Sequence, residues 1–506
     1  MTTTLDKDLA KLGHVEEATS FVSRSLVAPG LALLFMAVMA VLASVYVFDE
    51  PSAVIVVAAA VIAAYMALNI GANDVANNVG AAVGAKAMTM AGALAIAAVF
   101  ETAGALIAGG DVVETIASGI VHQSALPDTA PFIRLMLAAL ISAALWVNFS
   151  TWIGAPVSTT HSIVGGVVGA GVAAAGFGAV NWPAMGGITA SWVLSPVLGG
   201  AIAAIFLAFI KAAVTYQDDK ISAARRWVPL LIGVMAGAFT AYLATIGLHR
   251  LVALSGMQVF LAGAAGFVLA WLPAHRHVRR QSEGMENRTQ SLRKLFTLPL
   301  VISAALLSFA HGANDVANAV GPLAAIVRAV ESGEVGAIVE VPIWVMVVGA
   351  LGISVGLLLF GPKLIRMVGE EITRLNPMRA FCVALSAALT VIVASWFGLP
   401  VSSTHVAVGA VFGVGFYREW HTARSKQRRA YMERRERRRA EEQATQRQTG
   451  QHGKPVQRGP SRQEIQRRRL VRRAHVTNIV AAWVATVPAC ALLAAGVFFG
   501  LDLLVG

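Results

Sequence analysis

Charged side chains are scarce in this chain: Asp, Glu, Lys and Arg supply 13% of 506 residues, against 57% hydrophobic, and mean hydropathy is +0.67. A fold with so little charge cannot have water as its main solvent. Cysteine is nearly absent as well. Cys382 and Cys490 lie in apolar segments far apart in sequence, which gives no support for a disulfide framework or a metal site. The first 25 residues mix acids and bases and lack a short apolar core and a cleavage signal, so they read as a soluble tail rather than a signal peptide.

What the chain has instead is apolar length. Runs occupy roughly 26–48, 52–70, 88–109, 133–153, 185–212, 227–248, 252–272, 296–310, 341–361, 380–397 and 476–503, and most reach the ~20 residues that a membrane-crossing helix needs. The expected fold is an all-α polytopic membrane protein of the plasma or inner membrane. A pI near 10.1 raises the question of a nucleic-acid partner, and the position of the charge answers it. Residues 418–475 hold 19 Lys or Arg against 6 Glu, a net of +13, while the whole chain carries +12. One loop supplies the excess. It reads as a cytoplasmic insertion facing anionic membrane lipid, and no nucleic acid is expected.

Basic connections stay in the cytoplasm. The stretches 211–226, 275–294, 363–379 and 418–475 are basic, whereas 110–132 (Asp111, Glu114, Asp128) and 329–340 (Glu331, Glu334, Glu340) are acidic and read as external. Segment 380–417 therefore enters and leaves on the cytoplasmic side, broken at Gly398 and Pro400. Segment 133–175, broken at Gly154 and Pro156, opens outward. The two hairpins are antiparallel, the inverted-repeat arrangement of many secondary transporters. The expected organisation is a cytoplasmic tail (1–25), an extra span (26–50), a first repeat (51–215), a spacer hairpin with a basic loop (216–295), a second repeat (296–417), the Arg-rich insertion (418–475) and a last span (476–506).

Four polar islands interrupt the apolar runs. Gly71-Ala72-Asn73-Asp74-Val75-Ala76-Asn77 returns as Gly312-Ala313-Asn314-Asp315-Val316-Ala317-Asn318, and Pro156-Val157-Ser158-Thr159-Thr160-His161 returns as Pro400-Val401-Ser402-Ser403-Thr404-His405. A Gly-x-Pro break frees the N-terminus of the following helix, whose unpaired N–H groups and dipole favour an anion. Ser158, Thr159, Thr160, Ser402, Ser403 and Thr404 add hydroxyl donors, making a cage for a tetrahedral oxyanion. Asp74 and Asp315 would repel that anion in a low-dielectric interior unless cations bind beside them. Asn73, Asn77, Asn314 and Asn318 offer carbonyl oxygens for a hard cation such as sodium, and the glycines would let unwound backbone carbonyls turn inward. A carboxylate also accepts a hydrogen bond from protonated phosphate but not from sulfate. Glu101 is a third intramembrane acid, read either as a proton or cation coupler or as an interhelical hydrogen-bond partner. His161 and His405 fit backbone bonding at the hairpins better than proton shuttling. His311 and Asn69 have no matching counterparts and are not assigned as ligands.

These motifs, in this order, resemble the inorganic phosphate transporter family, over roughly 52–215 and 296–503. The resemblance implies cation-coupled phosphate symport with sodium or protons, with sulfate carried by some members, and no cofactor. It implies phosphate contacts at Asp74, Asp315 and the hydroxyl runs, cation ligands at the Asn positions, a functional Glu101 and a homodimer. An intramembrane hydrolase built from Ser or Thr, His161 or His405 and an Asp is the rival class; it needs one triad, and the elements here come in two nearly equivalent sets.

Overall fold

Apolar segments in hydrocarbon satisfy their backbones only by bonding within themselves, which selects helices. The computed structural model describes residues 26–47, 52–126, 128–153, 157–247, 254–335, 341–371, 375–424 and 473–505. Their order is α1 (Leu26–Tyr46), α2 (Ala53–Gly84), α3 (Met90–Ala108), α4 (Gly110–Ser118), α5 (Thr129–Trp152), α6 (Thr159–Ala175), α7 (Trp182–Ile210), α8 (Lys220–Ile246), α9 (Gly256–Gln281), α10 (Thr289–Leu295), α11 (Thr297–Asp315), α12 (Ala317–Ser332), α13 (Ile343–Glu371), α14 (Pro377–Trp396), α15 (Ser403–Arg424) and α16 (Arg473–Val505). Eleven stretches among the described residues are long and apolar enough to cross a bilayer. This is a multi-pass membrane protein. The tail 1–25, the break residues 154–156 and positions 425–472 of the basic insertion lie outside the described residues.

Helix starts follow the local sequence. Thr89 caps α3 by accepting the Gly92 N–H, Asn181 caps α7, Asn376 caps α14, and Ser255 with Gln258 forms a reciprocal capping box on α9. Outward residues of α7 such as Val193, Val197 and Ile205 remain exposed, as expected for a lipid-facing side. The second hairpin break lies where α14 ends at Trp396 and α15 begins at Ser403, with Gly398 at φ +63, a left-handed conformation that favours glycine.

Packing pairs each half with the other. Helix α2 lies on α13 and α11 on α3, while α6 packs on α16 and α7 on α15. The tightest crossings run through glycine. Gly71 sits against the Ile353 carbonyl and Gly312 against the Glu101 carbonyl; Gly104 meets Phe309 and Gly356 meets Leu68 in the same way. Every such contact has a counterpart from the other half. Helices α8 and α9 pack mainly on each other, and α1 lies on α13, where Tyr46 stacks on Trp344 at 5.7 Å.

One expectation is corrected here. The first Asn-Asp island is not unwound: α2 runs through it from Ala53 to Gly84, and the second is interrupted only at Val316, whose φ −56 and ψ −33 are still helical. Opposing carbonyls pack directly onto Gly71 and Gly312, so these glycines serve close helix approach rather than an unwound backbone.

Candidate functional site

The islands lie on α2 and at the α11–α12 junction, and the hydroxyl runs begin α6 and α15. Ser158 and Ser402 are N-caps, their hydroxyl oxygens accepting the backbone N–H of His161 at 3.1 Å and of His405 at 3.3 Å. The next residues turn toward the carboxylates. Thr159 donates to Asp74 Oδ2 at 3.2 Å, and Ser403 donates to Asp315 Oδ2 at 2.9 Å. The third residues cross between halves: Asn77 donates to Thr404 at 2.8 Å, and Asn318 donates to Thr160 at 3.2 Å. Thr404 in turn donates to Asp74 Oδ1 at 2.8 Å. All eight hydroxyl and carboxylate residues expected at the anion site are buried, and the side chains of both halves interlock.

The remaining asparagines hold the hairpin backbones. Asn73 donates to the Val157 carbonyl at 3.2 Å; Asn314 donates to the Leu399 carbonyl at 3.1 Å and accepts the Val401 N–H at 3.1 Å. Asn73 and Asn77 are only partly buried, whereas Asn314 and Asn318 are no more than 1% exposed. Of these four asparagines, Asn73 and Asn77 are thus the accessible ones. The Asn318 Oδ1 and Asp315 Oδ1 atoms are buried without a hydrogen-bond donor, which suits an oxygen-ligated cation.

His311, unassigned on sequence grounds, lies at the centre of the acids. Its Nε2 is 2.9 Å from Asp315 Oδ2 and 3.7 Å from Asp74 Oδ2, and its Nδ1 is 3.2 Å from Glu101 Oε2. The imidazole thus presents one nitrogen to the two island aspartates and the other to Glu101. Asn78 of α2 completes the group by donating to Glu101 Oε1 of α3 at 2.8 Å, an interhelical hydrogen bond of the kind that one of the two readings of Glu101 expects. Asp74, His311 and Asp315 also place one ligand atom each within 4.8 Å of one another. The i,i+4 spacing of His311 and Asp315 was the available sequence signal. Their contact with Glu101 is tertiary, and no local pattern announces it.

Chemically, the cluster combines three carboxyl groups, one imidazole, five amide side chains and the N-termini of α6 and α15. His161 and His405 meet behind it with ring centroids 4.4 Å apart, and Trp192 lies 3.9 Å from His161. Asn69 lies nearby but bonds to Asn148 at 3.0 Å.

Similarity to known proteins points to one family. Residues 70–494 match the phosphate transporter family. A Helicobacter pylori (strain J99) protein named as a phosphate permease is 45% identical over 526 aligned residues, covering 98% of each chain. A Thermococcus kodakarensis protein with the same description is 38% identical over 70% of this chain and 86% of its own. A solved structure of a sodium-dependent phosphate transporter superposes with a TM-score of 0.76 at 33% identity, covering 89% of this chain and all of that one. With its islands, hydroxyl runs and helical fold in this arrangement, the chain belongs to the phosphate transporter family.

Proposed function

We propose that this protein imports inorganic phosphate by symport with sodium or protons, holding the anion near mid-membrane between the tips of two inverted-repeat hairpins. The observation that carries the reading is the interlocked pair Asn77–Thr404 and Asn318–Thr160. Each half supplies the amide that meets the other half's hydroxyl. One shared site between two rocking halves is what alternating access requires.

The electrostatics support coupling. Three acidic side chains face a single imidazole in a buried site, and phosphate brings further negative charge that a cation would offset. In this arrangement the carboxylates themselves accept from Thr159, Thr404 and Ser403. A cation that draws Asp74 and Asp315 toward itself releases those hydroxyls for phosphate oxygens, and the helix N-termini of α6 and α15 add to the attraction. Cation and anion then each favour the other's binding. The structural relative is sodium-dependent, which makes sodium the first cation to test.

The test is radiolabelled phosphate uptake into proteoliposomes with sodium and proton gradients imposed separately and sulfate as competitor. Uptake driven by one gradient and resistant to sulfate is expected. Uptake indifferent to both gradients would identify an anion channel, and preferential inhibition by sulfate would reassign the substrate.

A further inference from the structure

Short helix α4 is not used by the site just described, yet it touches it at one point. Thr115 Oγ1 donates to the Gly398 carbonyl at 2.7 Å. Gly398 is the left-handed residue of the second hairpin tip, so the bond fixes the chain where it turns. One residue earlier on α4, Glu114 forms a 2.7 Å ion pair with Arg328 near the end of α12. Arg328 is 11% exposed and Glu114 50%, so the pair seals from the solvent side. Behind it, Ile116 packs on Gly321 of α12.

The tip that α4 holds is wired directly into the site. The Leu399 carbonyl and Val401 N–H bond to Asn314, the Val401 carbonyl accepts from Thr160, and Ser403 reaches Asp315. By loop charge, α4 and the end of α12 border the two acidic external connections. On the α11–α12 side of the site Asn314 and Asn318 are buried, whereas Asn73 and Asn77, in the half of α2 nearer Gly84, are partly exposed; by the same loop-charge reading, that end of α2 is the cytoplasmic one.

We propose that α4 is the outer gate: the Thr115–Gly398 hydrogen bond, braced by Glu114–Arg328, holds the second hairpin tip closed toward the outside and breaks when phosphate enters. Thr115 is then a positioning residue that sets the balance of closed and outward-open states. The proposal rests on the transport reading above.

The experiment uses the full chain with Leu399→Cys as reporter, in sealed vesicles of known orientation, labelled from outside by an impermeant maleimide. The native Cys382 and Cys490 are buried and give the background. Thr115→Val keeps the shape of the side chain and removes the hydroxyl. It should raise the labelling rate about fivefold, the effect of one lost hydrogen bond, and lower both KM for external phosphate and maximal uptake, because the binding-competent state gains population while closure slows. Thr115→Ser should restore all three, and Glu114→Gln should raise labelling less. Unchanged labelling and KM in Thr115→Val, with normal phosphate uptake by the parent, would overturn the gate. A parent that takes up no phosphate, while labelling still depends on Thr115, would instead overturn the transport reading and leave the gate standing.

Discussion

At the scale of single residues, His311 separates what chain order reveals from what folding adds. Its counterpart in the first half is Ile70, and Glu101 stands where the second half has Ile353. All four are buried. The duplicated pattern therefore carries an ionisable pair on one side of its symmetry and an apolar pair on the other, which is why matched residues point to Asp74 and Asp315 but not to His311. Removing one partner of a buried charged group leaves the other uncompensated, typically at a cost of about 3–5 kcal/mol. His311→Phe should thus lose coupled uptake and destabilise the protein in detergent, whereas His311→Gln retains a donor and should lose less stability. Adding Glu101→Gln to His311→Phe should cost less than the two single changes together, since the acid no longer needs its partner; strict additivity of thermal unfolding energies would show that the contact does not couple them. Asp74→Asn and Asp315→Asn should abolish coupled uptake with the protein still in the membrane. Normal uptake by both would remove the carboxylates from the mechanism.

At the scale of elements, the apolar runs located the helices well because hydrocarbon leaves a segment few alternatives. Eleven spans were legible, and the break at Gly398-Leu399-Pro400 falls between α14 and α15. Less legible was the extent of α2, which continues through Asn73-Asp74 to Gly84. The glycines there suggested an unwound backbone, but the polar side chains find partners across the interface and the helix does not have to open. The glycines beside them set how closely helices approach. An added methyl at Gly71, Gly312, Gly104 or Gly356 would overlap a facing carbonyl, with the α2–α13 or α3–α11 pair forced apart. Gly186 and Gly187 of α7 have nothing within 4 Å. Gly71→Ala or Gly312→Ala should therefore lower the thermal midpoint markedly, since overpacking costs about 1–3 kcal/mol or more. Gly186→Ala should be neutral or stabilising by up to ~1 kcal/mol through helix propensity. Equal effects at the two kinds of site would contradict close approach as the reason for the glycines.

At the scale of the whole molecule, charge is divided by region: the basic insertion carries the chain's net positive charge, while the transport core concentrates its acids around His311. Under the proposed symport, coupling belongs to the entire site rather than to one ligand, because the same acidic cluster would face both cation and phosphate. If sodium raises phosphate affinity tenfold, phosphate must raise sodium affinity tenfold, a coupling free energy of about 1.4 kcal/mol. Titrating phosphate with and without saturating sodium, and sodium with and without phosphate, measures both arms, with the same titrations repeated across pH to detect protons in sodium's place. In Asp315→Asn, neutralisation no longer depends on a cation at that carboxylate, so the coupling factor should fall toward one even where some phosphate binding survives. Retention of the full factor in that variant, and in Asp74→Asn, would place the coupling outside the Asn-Asp islands. A factor near one in the unmodified protein for both sodium and protons would mean that the buried acids repel phosphate without recruiting the cation that makes it welcome, and the symport mechanism would fail at its first step.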